Sequence, residues 1–321
     1  MSVYEGAATE GRAREQGGTP PAQGGTAMKS GKKRRPAGRS DAQNAIVATS
    51  RAWRVMISAV LVVAGILFLL PVVWVVISSL ELPTDQFLVP PDWFPSHLTL
   101  ASYRTLFSAA PFLLNIINSV IVTTSVVVGA AIVSILAAYA FARIEFRGRE
   151  VLFIMFLAAL TLPSQAVAVP AFIEIRYMHL LNNQASLIIP ALIQVLGIFL
   201  LRQHFRTIPQ ELDDSARVDG AGHLRIIRHV MVPMSWPAIS AVMVITGQYI
   251  WNDFFWPNLF LTSPDRMTAP LGLVSLEAMQ GGGPIGAIFA GLSILCVPVV
   301  IAFVFFQRQL MEGIGYRGVS R

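Results

Sequence analysis

Long apolar runs separated by short polar stretches dominate the chain. Six of them stand near Met56 to Ser79, Ile116 to Ala142, Val151 to Ile175, Ser186 to Leu201, Ala238 to Leu261 and Ile285 to Phe306. A helix needs about 20 such residues to cross about 30 Å of hydrocarbon, and it satisfies its own backbone donors and acceptors there. The runs are apolar continuously and not at every second position, so they predict helices and not barrel strands. The expected fold is all-α: a polytopic membrane protein with a bundle of six transmembrane helices.

The polar remainder divides the chain. Residues 1–52 are rich in Gly, Ala, Ser, Gln and charge, with too little apolar surface to fold alone, and are expected to be a disordered basic tail ahead of a six-helix domain over 53–321. Between the first two runs, Glu81 to Asn115 carries Pro83, Pro90, Pro91, Pro95 and Pro111, which deny it a long helix. Its aromatics Trp93, Phe94, Tyr103, Phe107 and Phe112 suit either a structured cap on the membrane face or ordinary interfacial anchors. Composition agrees with a lipid solvent: 54% of residues are hydrophobic and 13% charged, against about 25% charged in soluble domains.

The net charge of +6 matters through its distribution. Ten Lys or Arg precede the first run, three lie between Arg143 and Arg149, five between Arg202 and Arg228, and three in the C-terminal tail; the alternate loops hold Arg104, Arg176 and Arg266. That bias places both termini, and the loops around 143–150 and 202–230, on the cytoplasmic side of the cell membrane. The Lys32–Arg35 cluster then reads as a topology anchor beside anionic lipid, and no nucleic-acid partner is expected.

Chemistry of its own is hard to place on this chain. No G-x-x-x-x-G-K-[ST] phosphate loop and no G-x-S-x-G elbow occurs, and Gly281-Gly282-Gly283-Pro284 reads as a flexible turn. The single cysteine, Cys296, allows no internal disulfide, and the five histidines lack the i, i+4 spacing of a helical zinc site. Catalytic residues, bound cofactors and metals are therefore not expected. Intramembrane acids are scarce too: Glu174 and Asp253 fall near span ends, which argues against a proton or sodium path.

The segment from Arg202 to Val230 is too long for a plain connection and strongly patterned. Thr207 is placed to cap a short helix, Pro209 to sit in its first turn, and Glu211, Asp213 and Asp214 to meet its positive end. Gly220 is placed to end it in the left-handed conformation. Ile208, Leu212, Ser215 and Ala216 are expected on one face, small enough in part for close approach by a partner. A second short helix follows with Leu224, Ile227 and Val230 on one side, and Pro233 and Pro237 break the chain before the fifth run. The pair is either a platform for a protein or an interfacial helix pair lying on lipid.

These residues resemble the EAA motif of ABC-importer permease subunits. Glu211-Leu212 match its start, Asp214-Ser215-Ala216 stand at the E-A-A triplet with two substitutions, Asp219-Gly220-Ala221 match D-G-A, and Pro233 and Pro237 complete it. From about residue 50 onward the chain is similar to the carbohydrate-uptake branch, through Asn118-Ser119-Val120, Ala137 to Arg143, Leu162-Pro163, Phe199 to Arg202, Trp251-Asn252-Asp253 and Gln307-Arg308. The resemblance implies a homologous second permease subunit, two cytoplasmic ATPase subunits or domains that use ATP, and an extracytoplasmic solute-binding protein. It also implies that Pro209 to Val218 docks on the ATPase, with Glu211, Leu212, Asp214, Ser215, Ala216, Asp219, Gly220 and Ala221 as coupling residues.

A solute path is expected at Gln248, Tyr249, Trp251 and Asn252, which pair amide groups with aromatic faces as a sugar's hydroxyls and ring faces require; an interfacial aromatic belt is the competing reading. An ion-coupled secondary transporter of small polar solutes is the rival function, and a membrane-embedded enzyme or scaffold the third. Copurifying proteins separate them.

Overall fold

The structure, a computed structural model, describes residues 39–81, 97–279 and 285–315, with side chains for 53–81, 97–278 and 285–307. The Lys32–Arg35 cluster, four of the loop prolines (Pro83 to Pro95), Trp93, Phe94 and the Gly281–Gly283 turn lie outside the described residues.

The chain divides into two units, Met1–Val63 and Ala64–Arg321. In the first, helix α1 (Arg39–Ser79) begins at Arg39, ahead of the boundary at residue 52 drawn from composition. Its described side chains from Trp53 to Val63 are exposed and mostly apolar.

The second unit is also helical: α2 (Ala101–Ala109), α3 (Phe112–Arg143), α4 (Arg149–Ala159), α5 (Ala168–Tyr177), α6 (Ala185–Ala191), α7 (Val195–Phe205), α8 (Glu211–Val218), α9 (His223–Ile226), α10 (Val232–Met234), α11 (Trp236–Trp251), α12 (Phe255–Phe260), α13 (Ala269–Met279) and α14 (Ile285–Gly315). No strand occurs among the described residues.

Helix α3 is the axis of this unit, and three buried clusters follow one another along it. Phe112 joins Leu106, Leu273 and Ala287 near its start. Val122, Val126 and Ala130 meet Ile175, Phe260 and Leu271 midway. Ala138 and Tyr139 pack with Leu201, Phe205, Ile208, Ile226 and Met231 at its end. The small residues Ala130, Ser134 and Ala138 are all buried. A Cβ on Gly197 of α7 would meet Ser134 Oγ and Val242 Cγ1 at 3.0 Å, so small side chains are what let α3, α7 and α11 cross closely.

Outward faces are apolar, with Phe68 and Phe305 standing 83% and 73% exposed. Such surface requires lipid or another apolar partner. Among the described residues four helices are long and apolar enough to cross a membrane, Trp53–Ser79, Phe112–Arg143, Ala185–Phe205 and Ile285–Gln307, and up to six if each of two bent pairs is one span.

Two of the expected runs are interrupted. The third run breaks by 98° between Arg149–Ala159 and Ser164–Tyr177, where Pro163 is extended at ψ 133° and has no N–H to continue the ladder. The fifth stops at Trp251, ten residues short of Leu261, because Asn252 Nδ2 folds back to the Gln248 carbonyl at 2.8 Å. Asp253 Oδ1 then accepts the Phe255 N–H at 3.0 Å and opens α12. Two helices, α2 and α13, occupy stretches read from sequence as loops.

Candidate functional site

The 202–230 segment is built as a folded elbow on the C-terminal end of α3. Its entrance corrects the expected cap: Thr207 Oγ1 donates to the His204 carbonyl at 2.7 Å, and α8 starts after Gln210, which supplies no side-chain cap. Instead, Arg143 Nη2 donates to the Ile208 carbonyl at 2.7 Å, and Arg143 Nε stands 3.2 Å from Asp213 Oδ2. Glu211, Asp213 and Asp214 all occupy the first turn of α8, where the helix dipole favours anions.

The end of α8 forms as expected. Gly220 sits at φ +78°, its N–H reaching the Arg217 carbonyl at 2.9 Å while the Ala221 N–H reaches Ala216 at 2.9 Å. This is a Schellman pair, and it reverses the chain tightly into α9. There His223 Nδ1 lies 3.0 Å from the Tyr139 hydroxyl, the two rings meeting edge to face.

The buried faces differ from those expected. On α8, Asp213 is buried and Ala216 half-buried, whereas Leu212 and Ser215 are exposed: the inward stripe runs through 213 and 216. In the second arm Ile226, Ile227 and Met231 are buried and Leu224 is 74% exposed, and Ile227–Met231 form a π turn that rotates the residues after it relative to those before. The arm meets α11 at a bend of 83°, between Pro233 and Pro237.

The segment therefore presents one exposed rim. Glu211, Leu212, Asp214, Ser215, Asp219 and Gly220 are exposed, and Ala216 and Ala221 are half-buried against the cluster beneath. Val218, 89% exposed, and Leu224 stand as apolar points among the charges. Asp214 pairs only loosely, 3.7 Å from Arg217 one turn on. Such a surface offers apolar anchors inside a polar ring, the anatomy of a protein-docking patch.

Behind the elbow lies a second tie. The guanidinium of Arg202, 3% exposed, is held by Glu150 Oε1 at 2.6 Å, by the Phe141 carbonyl at 3.1 Å and by the Phe153 ring at 3.8 Å. The sequence alone gives Arg143 and Arg202 as topology markers and as ends of family-like segments, and Asp213 as a first-turn acid; it assigns no tie to Tyr139 or Glu150. A signal was available for Asp213 alone: it lies three residues before Ala216, on the inward stripe.

The expected path residues part company. A chamber of about 650 Å³ opens among α5, α6, α7, α11 and α12, walled by Val122, Leu187, Gly197 and Phe260 with Glu174, Gln194, Thr246, Tyr249, Asp253 and Thr268 as its polar lining. Tyr249 belongs to it, while Gln248, Trp251 and Asn252 are not among its lining residues. Trp251 is buried with Nε1 donating to the Leu295 carbonyl at 3.1 Å, and Asn252 is spent on the end of α11. Thr268 Oγ1 is buried without a hydrogen-bond partner. A mostly apolar chamber with a few polar groups suits a small amphipathic solute.

The chain is similar to known proteins. The chain is 33% identical over 227 residues, 70% of its length and 81% of the relative's, to the arabinooligosaccharides transport system permease protein AraQ of Halalkalibacterium halodurans. It is 30% identical to the diacetylchitobiose uptake system permease protein NgcG of Streptomyces coelicolor, covering 83% of this chain and 89% of that one. In fold it matches a chain from the crystal structure of a bacterial ABC transporter involved in the import of the acidic polysaccharide alginate, with a TM-score of 0.70 and 20% identity over 82% of this chain and 98% of the other. Residues 130–312, which include the elbow and most of the chamber, match the family of binding-protein-dependent transport system inner membrane components. The chain belongs to that family, and is a multi-pass membrane protein of it.

Proposed function

We propose that this chain is the permease subunit of an ATP-binding-cassette importer for sugars or related polyols, forming half of the translocation pathway and coupling to a separate ATPase through 207–230. The observation that carries this reading is the exposed rim mounted on a buried, ion-paired base in a member of a transport family. The relatives named for arabinooligosaccharides and diacetylchitobiose support a sugar as cargo.

The same reading takes each bent pair as one span, giving six, with both termini and the elbow in the cytoplasm as the basic residues favour. Residues 1–52 are then a cytoplasmic tail and 53–321 the permease domain. A second, homologous permease completes the pore, two ATPase subunits or domains bind the elbows, and an extracytoplasmic binding protein delivers the solute. ATP is consumed on those ATPases, and the work reaches the pore because ATP binds the two states of the assembly with different affinity. Tyr249, on the chamber wall, is our candidate for solute contact.

The test is reconstitution of the copurified assembly in vesicles, with arabinobiose and diacetylchitobiose as probes and lumenal sugar read by mass spectrometry. Uptake is expected to require ATP, and Gly220→Pro is expected to abolish it while leaving membrane insertion intact, since proline cannot adopt φ +78°. Uptake by this chain alone under an ion gradient would replace the proposal with a secondary transporter.

A further inference from the structure

The elbow is continuous in sequence with α7 on one side and, through α9 and α10, with α11 on the other. Helix α3 has no such connection, yet it grips the elbow at three points. Arg143 holds the Ile208 carbonyl at 2.7 Å and Asp213 at 3.2 Å, and Tyr139 meets His223 at 3.0 Å.

The ion pair is the part of this grip that resists opening. Its side chains are 7% and 1% exposed, so water and salt screen it little. Neither Asp213 oxygen has a hydrogen-bond partner, nor has Arg143 Nε, so each charge is compensated chiefly by the other. Separating them would strand a buried charge. An elbow displaced by a docked partner therefore carries α3 with it as a rigid body, in preference to sliding across its end.

We propose that Arg143 and Asp213 are positioning residues that make α3 a third helix moved by the elbow, alongside the two that the chain itself attaches. The inference rests on the reading of 207–230 as the coupling element. Asp213, being buried, acts through Arg143 and not by touching the ATPase; its exposed neighbours Glu211 and Asp214 face outward for that contact. Because α3 also packs on α7 and α11 where Ser134, Gly197 and Val242 meet, and lines the chamber through Val122, its displacement bears directly on the pore.

The experiment uses the whole reconstituted assembly and reads sugar taken up per ATP hydrolysed, with arabinobiose and diacetylchitobiose as probes. Asp213→Asn is expected to assemble and hydrolyse ATP while that ratio falls about tenfold, within the usual range of coupling between sites. The double variant Arg143→Asp with Asp213→Arg is expected to recover much of the loss. A role confined to folding would lower uptake and hydrolysis together with the amount of assembled complex, and an unchanged ratio overturns the proposal. Should Asp213→Asn fail to assemble, the double variant Arg143→Gln with Asp213→Asn, which removes the ion pair and strands no charge, is read by the same ratio with the same two outcomes. A wild-type assembly without ATP-driven uptake of either probe would instead sink the functional reading beneath it.

Discussion

At its C-terminal end α3 is fastened by charge: Arg143 to Asp213 across 3.2 Å, and the Phe141 carbonyl to a guanidinium, Arg202, that also holds Glu150 at 2.6 Å. At its N-terminal end it is fastened by neutral groups: Asn118 Nδ2 donates to the Asp265 and Met267 carbonyls at 2.9 and 3.0 Å, and Ser119 Oγ accepts the Ala269 N–H at 2.8 Å. Beyond that end Asn182, at φ +56°, clamps the 260–266 turn in the same way through Thr262, Ser263 and Arg266. Four ion pairs join positions between Arg143 and Arg217. The neutral ties run between a side chain and the backbone and tolerate small adjustments. The ion pairs bind side chain to side chain and penalise separation steeply once water is excluded. A helix held softly at one end and stiffly at the other transmits displacement from the stiff end.

Removing one member at each end measures that contrast as a loss of stability of the purified protein in detergent. Arg143→Ala is expected to cost the most, about 3–5 kcal/mol, because it leaves Asp213 charged and buried. Asn118→Ala is expected to cost about 2 kcal/mol, since two carbonyls lose their donors but no charge is stranded. If the two losses proved equal, the distinction between the ends would collapse. Gly220→Ala sharpens the picture from outside both: nothing lies within 4 Å of its would-be Cβ, so only the positive φ opposes it, at about 1 kcal/mol.

Much of this was legible in the residues alone. Apolar runs gave the helices, Gly220 the reversal, and Pro233 with Pro237 the bend, because each acts through its own backbone or its bulk solvent preference. What stayed hidden depends on neighbours far along the chain. Arg143 and Arg202 read as topology markers and Asp213 as a first-turn acid, since burial of an ion is decided by a partner 52 to 70 positions away. Trp251 turns to Leu295, a choice that tertiary packing makes, whereas Thr207 takes a local alternative to capping by bonding back to His204. Of the expected solute-path residues, Tyr249 alone lines the chamber: Asn252 is spent on the end of α11 and Trp251 on the Leu295 carbonyl, uses their composition also permits.

The π turn at Ile227–Met231, closed by the Val232 N–H on the Ile227 carbonyl, holds one residue more than an α-helical turn would need. Each residue of a helix turns it by about 100° and advances it 1.5 Å. Excising a single position there would restore ordinary winding yet swing Leu224 and the Gly220 hairpin about a quarter of the way around the arm. The extra residue thus works as a shim: it sets the heading of the rim independently of the side chains that rim displays, and length there is more tightly specified than identity.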